Sequence, residues 1–337
     1  MQNGSMSLRV TMADIAREAG VSVATVSKVL NGRTDVAAPT RQRVQELLSS
    51  RRYRPRRSRP ARRAAMIELL FDALDDPWAV EIIRGVEGEA RSQRMGVIIS
   101  LTSERWIDGL VERGADGAIP VLSDLAGPER AQLRELGVPV VIVDPAGHSG
   151  PEDGYSVGAT NWAGGLAATE HLVGLGHRRV AVISGPAHLL CSRARVDGYR
   201  NAMEAAGLAV DTALVRSGTF HHDAGFAHAM DLLSRPDRPT AIFAGNDAQA
   251  MGVYEAARQR GLRVPADLSV VGFDDLPQSR WLAPPLTTVW QPLDEMARAA
   301  TRMLVGLLGG SEPRPSRVEL ATSLIVREST APPRTTR

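Results

Sequence analysis

From Met66 onwards the chain passes through two series of short, β-branched-rich apolar runs, and no other feature restricts its fold as strongly. The first series is MIELLF, GVIISL, DGAIPVL and VPVVIVD; the second is RRVAVISG, DTALVRSG, TAIFAGND and SVVGFDD. Helical stretches lie between them, at 80–94 in the first series and at 164–175, 192–206, 224–233 and 248–261 in the second. A run that is apolar at successive positions suits a strand covered on both faces, and strands alternating with helices pair in parallel. Two such series predict two doubly wound α/β subdomains. A chain of 337 residues exceeds one ordinary domain, and its 43% apolar content is that of a globular protein.

The first 65 residues read differently. The segment 11–31, TMADIAREAGVSVATVSKVLN, predicts two short helices joined by a tight turn. Thr11 and Asp14 form a capping-box-like start. Ile15, Ala16 and Ala19 recur at helical spacing, and Gly20 supplies the left-handed conformation that stops a helix. Ser22 is placed to cap a second helix over 23–30, with Val26, Val29 and Leu30 facing inward and Val23, Ala24, Ser27 and Lys28 outward. Small Ala16 and Ala19 permit the close approach that a helix-turn-helix requires. A third helix is expected from about Pro39 to Arg51, burying Val44, Leu47 and Leu48. Ala37 and Ala38 offer it no hydroxyl cap, so its start should be weak.

Charge divides at the same place. Residues 1–65 carry 14 Lys and Arg against 4 Asp and Glu, whereas 66–337 carry 26 against 34. A basic head on an acidic body is the footprint of nucleic-acid binding confined to one end. Residues 54–63, RPRRSRPARR, read as a linker that is disordered free in solution. The single Cys191 excludes an intrachain disulfide and fits a reducing compartment. No apolar run reaches the roughly 18 residues of a membrane helix, and the N-terminus lacks a secretory h-region, so a cytoplasmic protein is expected.

The wording D-I-A-x-x-A-G-V-S-x-x-T-V-S-x-V-L-N, with the Tyr53-Arg54-Pro55 that ends the headpiece, resembles the LacI/GalR family of bacterial transcription repressors. HLVGLGHRRVAVISG, NDAQAMGVYEA, GLRVPADLSVVGFDD and PPLTTV are similar to the same family, so the resemblance covers 9 to about 328. It implies an all-α helix-turn-helix headpiece (8–55), a hinge or linker (56–65) and a periplasmic-binding-protein-like α/β body (66–330) that binds an effector and dimerises. Val23, Ala24 and Lys28 fall where recognition helices touch base edges, while Ser22, Thr25 and Ser27 suit phosphates or capping. Thr11, Asn31, Tyr53, Arg59 and Arg62 complete the expected DNA-binding set. Family members wedge a hinge leucine into the minor groove; here Arg62 takes that place and Pro60 interrupts the helix. Arginines in a narrowed minor groove are the expected substitute. The stretch before Asp116-Gly117 is shorter than usual, and the C-terminal Pro/Arg tail has no tetramerising heptad, so a homodimer is expected.

Catalytic constellations are not evident. Gly174-Leu175-Gly176 precedes a strand instead of following one, which is wrong for a dinucleotide fingerprint, and there is no P-loop or GxSxG elbow. His221-His222-Asp223 reads as two histidines pointing to opposite faces of a strand, hence a rim feature and no metal site. No cofactor is expected. Ligands of open α/β sheets bind beyond the carboxyl ends of the strands. Those ends carry Trp78, Ser123, Asp144, Ser192, Arg195, Phe220, Asn246 and Asp274, a mixture of aromatics, carboxylates and a guanidinium that suits a sugar. The family resemblance implies effector-pocket positions at Trp78, Asp144, Arg195, Asn246 and Asp274; a strand-end cap or domain-closure contact is the alternative for each acidic residue. The whole reading is a ligand-responsive repressor of carbohydrate genes. A secreted sugar-binding protein would need a signal and no basic head, and an α/β enzyme would need a nucleophile or cofactor loop.

Overall fold

The computed structural model describes residues 12–30, 36–51, 65–103, 105–125, 127–147 and 154–334. The chain divides into two units, 1–63 and 64–337. Thr11, Asn31, Tyr53, Arg59 and Arg62 lie outside the described residues, as does most of the arginine-rich linker.

The first unit is a three-helix cluster of α1 (Met12–Ala19), α2 (Val23–Leu30) and α3 (Ala38–Ser50). Ile15, Ala16, Ala19, Val26, Val29 and Val44 form its buried core, with Leu47 and Leu48 packed against it. The turn between α1 and α2 is made by Gly20 at φ +67°, where a side chain would be strained. Ser22 caps α2: its Oγ accepts from the Thr25 N–H at 3.1 Å. Ala37 stands at the N-cap of α3 with no side-chain hydrogen bond, and Pro39 occupies the first turn, where its missing N–H costs little.

The second unit contains two α/β lobes. In the N-lobe, β1 (Met66–Phe71) lies between β2 (Gly96–Leu101) and β3 (Gly117–Pro120), all parallel. Bridges Ala118–Val140 and Val121–Val143 carry the order on to β4 (Val141–Val143), then β5 (Tyr155–Ala159) and β11 (Arg317–Leu320), again parallel. The C-lobe sheet has the order β12 (Ser323–Ile325), β10 (Thr287–Trp290), β9 (Ser269–Asp274), β8 (Ala241–Ala244), β6 (Val180–Ser184), β7 (Val215–Ser217). Only β12 among these runs antiparallel to its neighbour. Strands β6 and β8 are buried along their whole length, as continuous apolar runs require.

The two lobes are not simply the two sequence series. The chain leaves the N-lobe after β5 into α7 (Asn161–Gly174), which packs in the C-lobe, and returns after β10 into α11 (Leu293–Leu308), which packs on α4 (Trp78–Ser92). It crosses a third time between β11 and β12. The remaining helices are α5 (Trp106–Arg113), α6 (Gly127–Leu136), α8 (Leu190–Ala205), α9 (His222–Leu233) and α10 (Asp247–Gln259). Only four residues separate β2 from α5.

One close approach fixes the geometry of the cleft. A Cβ on Gly165 of α7 would lie 2.2 Å from the Arg195 carbonyl oxygen of α8, so only glycine lets these helices touch there. That contact holds Asn161, at the start of α7, beside the Arg195 side chain. Among the described residues no helix is long and apolar enough to cross a membrane.

Candidate functional sites: a helical reading face and an inter-lobe cavity

On the headpiece, Val23 is 45% exposed, and Ala24 and Lys28 are also exposed. They share the side of α2 opposite Val26 and Val29, because those two are spent on the core. Ser22 and Thr25 hydrogen-bond each other through their hydroxyls at 2.9 Å, and Ser27 is half-buried. The face is thus small, apolar at its start and cationic one turn later.

In the body, the carboxyl ends of the strands from both lobes meet around a narrow cavity of about 30 Å³ that opens to solvent. Trp78, Asp144, Arg195, Phe220, Asn246 and Asp274, all expected from the sequence, line it together with Cys191, Leu122, Gln291, Leu293 and Met296. Trp78 and Asp144 come from the N-lobe; Arg195, Phe220, Asn246 and Asp274 come from the C-lobe. Trp78 opens α4 with its N–H on Asp76 Oδ1 at 3.2 Å, and its ring meets Phe71 edge-on at 5.9 Å.

Arg195 is the centre of the wall. It is 3% exposed and stacks on Phe273, with its guanidinium carbon 3.7 Å from the ring centroid; Phe220 lies at 5.6 Å. Its Nε donates to Asn161 Oδ1 at 2.8 Å, Nη1 to the Gly245 carbonyl at 2.6 Å and Nη2 to Gln291 Oε1 at 2.8 Å. Asn161 and Gln291 sit on two different lobe crossovers, so one side chain ties both.

Asp274 ends β9 beside it, with Oδ1 4.0 Å from Arg195 Nη2. Burial raises its carboxyl well above the ordinary range against the pull of Arg195, and Asp247, Asp76 and Asp144 push it the same way. Burial also raises Asp144, opposed by Arg195 and by Asn161, which donates to it at 3.4 Å. Both aspartates have positive φ, +107° at Asp274 and +52° at Asp144. A non-glycine residue near +107° is strained by about 1–3 kcal/mol, and such strain gathers at functional sites. Asp247 is pushed up to about 7 by burial, partly offset by Thr288 Oγ1 at 2.6 Å and the Leu276 N–H at 2.8 Å. Burial pushes the Cys191 thiol up to about 12, which leaves it protonated and unreactive at neutral pH.

Three sequence readings are corrected. Ser192 is 1% exposed and does not line the cavity. Cys191 and Arg195, four apart on α8, share the cavity face, and a residue one step from Cys191 is turned about 100° from it. Ser123, in the loop after β3, is also absent from the wall; its carbonyl accepts from the Ala146 N–H at 3.1 Å. His221 and His222 are not on a strand: His221 is the N-cap of α9 and His222 its first residue. The rim position itself holds, with His221 Nε2 3.8 Å from Asp75 Oδ2 across the mouth.

Asn246 has the double character left open by the sequence. It caps α10, accepting from the Gln249 N–H at 2.8 Å, and its amide donates to the Phe220 carbonyl at 2.9 Å, while its edge faces the cavity. The sequence reading missed Gln291, Asn161 and Phe273. Gln291 follows a strand end, and reading 287–290 as a strand would have found it. Among the described residues no cluster of three or more His, Cys, Asp or Glu is arranged to hold a metal ion.

Comparison with known proteins agrees with this geometry. Residues 11–56 match the model of the bacterial regulatory proteins of the lacI family, and 169–330 match the periplasmic binding protein-like domain. The ribose operon repressor of Escherichia coli (strain K12) is 34% identical over 329 residues, covering 95% of this chain and 99% of that protein. The solved complex of the transcriptional regulator CelR with cellobiose has a TM-score of 0.74 at 33% identity, over 95% of this chain and 100% of that one. The lac repressor dimer bound to operator and the anti-inducer ONPF gives 0.70 at 27%, over 96% and 99%. The chain is a DNA-binding regulator with an effector-binding body, and it belongs to the lacI family of bacterial regulatory proteins.

Proposed function

We propose that the chain is a cytoplasmic, homodimeric repressor whose hold on a near-palindromic operator is set by a small carbohydrate-like effector in the inter-lobe cavity, and that it is not an enzyme. The observation that carries the effector class is the Asp274 carboxylate. It is 7% exposed, faces the cavity, and receives no side-chain hydrogen bond among the described residues. A buried acceptor of that kind calls for donors from a ligand. Arg195 has spent three of its five N–H groups on the protein, and the Asp144 and Asp274 carboxyls add acceptor oxygens to the wall. Sugar hydroxyls supply donors, and Trp78 and Phe220 offer apolar faces to the ring. The relatives named for ribose and cellobiose support the same class.

In this reading Val23, Ala24 and Lys28 touch base edges, and Ser22, Thr25 and Ser27 hold phosphates or the helix cap. Thr11, Asn31, Tyr53, Arg59 and Arg62 add backbone contacts. Two-fold symmetry of the dimer demands a near-palindromic site. Exposed Val80, Ile99 and Leu101, at 61%, 44% and 54%, supply apolar surface for the second copy. A ligand touching Asp144 from one lobe and Asp274 from the other changes the angle at the crossovers that Arg195 ties. The test is a gel shift on DNA fragments flanking the gene, titrated with a panel of sugars. Sequence-specific binding altered by at least one sugar is expected; binding that no sugar alters overturns the effector assignment.

A further inference from the structure

The cavity between the lobes has two unlike walls. Trp78, Ile82, Leu122, Val143, Leu293 and Met296 form the N-lobe side, and all six belong to the apolar core of that lobe or pack against it. Arg195, Asn246 and Asp274 make the C-lobe side polar, and Gln291 adds an amide from a crossover. Asp144, the polar side chain that the N-lobe adds, accepts from Asn161 at 3.4 Å. Asn161 in turn accepts from Arg195, so Asp144 sits toward the polar side. At about 30 Å³ the cavity has room for little more than water, and an effector enters by parting the lobes. Each wall keeps its own side chains as it moves. A ligand therefore meets aliphatic groups on one side and hydrogen-bonding groups on the other.

Leu122 carries this contrast furthest. It is half-buried, and its φ of +51° lies in the left-handed region, where glycine and asparagine rest easily and a bulky apolar residue is unusual. Its N–H donates to the Val143 carbonyl at 2.9 Å, which holds the turn. Backbone strain of this kind gathers at ligand sites. An asparagine would relax the turn and put an amide on the wall; the chain keeps a leucine. The C–H faces of a sugar ring need flat partners, and Trp78 on one lobe and Phe220 on the other already supply them. That leaves Leu122, Ile82, Leu293 and Met296, which offer a hydroxyl nothing to bond and desolvate it at a cost. A methyl group gains by burial there. A wholly apolar ligand, in contrast, would leave the buried Asp274 carboxyl without donors.

We propose that the effector is a deoxy sugar, with its ring hydroxyls on the C-lobe wall and a methyl group, in place of the usual hydroxymethyl, against Leu122. This rests on the reading of the cavity as a carbohydrate site, and the experiment separates the two. Binding to the full-length protein is measured by calorimetry for matched pairs: 6-deoxy-D-glucose and D-glucose, D-fucose and D-galactose, L-fucose and L-galactose, L-rhamnose and L-mannose, 5-deoxy-D-ribose and D-ribose. In at least one pair the deoxy sugar is expected to bind about tenfold more tightly, since an apolar pocket rejects an added hydroxyl by up to about 100-fold. Leu122→Asn nearly keeps the leucine's shape and suits the positive φ, so it should melt with the parent. It should bring the preference within about twofold, chiefly by tightening the hydroxylated partner, whereas Leu122→Met should keep the preference. Hydroxylated sugars that bind at least as tightly as their deoxy partners in every pair overturn the deoxy assignment and leave the carbohydrate site standing. A preference unchanged in Leu122→Asn overturns the assignment to Leu122. Absence of binding by all of these sugars overturns both the proposal and the carbohydrate reading.

Discussion

Replacing Asp274 by Asn separates binding from folding, because the two effects are expected to have opposite signs. The side chain keeps its volume, and Asn tolerates the positive φ of +107° about as well as Asp. Burial makes the ionised carboxyl costly here, as its raised protonation range shows, and Asp144 and Asp76 add repulsion that one arginine at 4.0 Å offsets only in part. Removing the charge should therefore leave the ligand-free protein as stable as the parent or more so. Ligand binding should suffer. Hydrogen bonds to a charged acceptor contribute about 1.5–3 kcal/mol each. At 1.4 kcal/mol per decade, the loss of one raises the effector concentration for operator release by roughly 10- to 150-fold. Operator affinity without effector should stay within about twofold, since residue 274 lies outside the headpiece unit. The assay pairs thermal melting of the free protein with an operator-release titration. Release at the parent concentration would show that Asp274 does not meet ligand. A melting point several degrees below the parent would show that the carboxylate serves the fold.

Further outcomes follow from other parts of the chain. Lys28→Ala should lose discrimination at one symmetric base position, by about 1–3 kcal/mol per contact; uniform weakening on all sequences in a competition gel shift would make Lys28 a phosphate contact. Changing Arg59, Arg62 and Arg63 to Gln should flatten the slope of log K against log salt, to which each neutralised phosphate adds about −0.9; an unchanged slope would reduce the linker to a tether. Asp247, raised to about 7 by burial, keeps in the fold a proton that the unfolded chain releases near pH 4. Its stabilising effect is full below about pH 4 and is lost as pH rises to about 7, a span of at most about 4 kcal/mol. The Thr288 hydroxyl and the Leu276 N–H both donate to Asp247; Asn at 247 keeps an oxygen for Leu276, and the Thr288 hydroxyl can turn to accept from its N–H, so Asp247→Asn should flatten the urea-unfolding stability between pH 4.5 and 7.5. A mutant as pH-dependent as the parent would place the effect elsewhere.

The headpiece was readable because its order is local. Ile15, Val26, Val29 and Val44 recur at helical spacing, and Gly20 and Ser22 mark a stop and a start that the helices respect. Strands such as Val180–Ser184 were readable because both faces are buried, which leaves an unbroken apolar run. Lobe membership was not. Thr287–Trp290 contains two threonines, buried at 0%, that read as polar in a sequence, and strand β11 alternates exposed and half-buried residues at an edge. Which sheet such strands join is decided by pairing across more than a hundred residues, as between β5 and β11. Helix α11 is different: Leu293, Met296, Ala297, Ala300 and Leu304 repeat at helical spacing, so its signal was present and went unread.

The site was legible as far as strand ends reveal it, and Arg195 marks the boundary. Its position at the start of a helix after β6 pointed to the cleft, and it does line the cavity. What the sequence could not supply was the set of acceptors, because Asn161, Gly245 and Gln291 lie 34, 50 and 96 residues away. Those bonds change what a mutation at 195 can mean. Alanine there removes three charge-assisted bonds and leaves Asp144 and Asp274 without their cation, and breaking a buried pair from one side typically costs about 3–5 kcal/mol. That cost falls on the fold before any ligand is added, and it frees two crossovers from each other. A weakened response in Arg195→Ala would therefore not distinguish a lost ligand contact from a loosened hinge. Arg195→Lys is the informative change, since it keeps the charge beside Asp274 while a single ammonium cannot reproduce the three-way fork. If Lys restores stability but not release of operator, the fork transmits the signal; if it restores both, charge alone is what the cavity needs from this position.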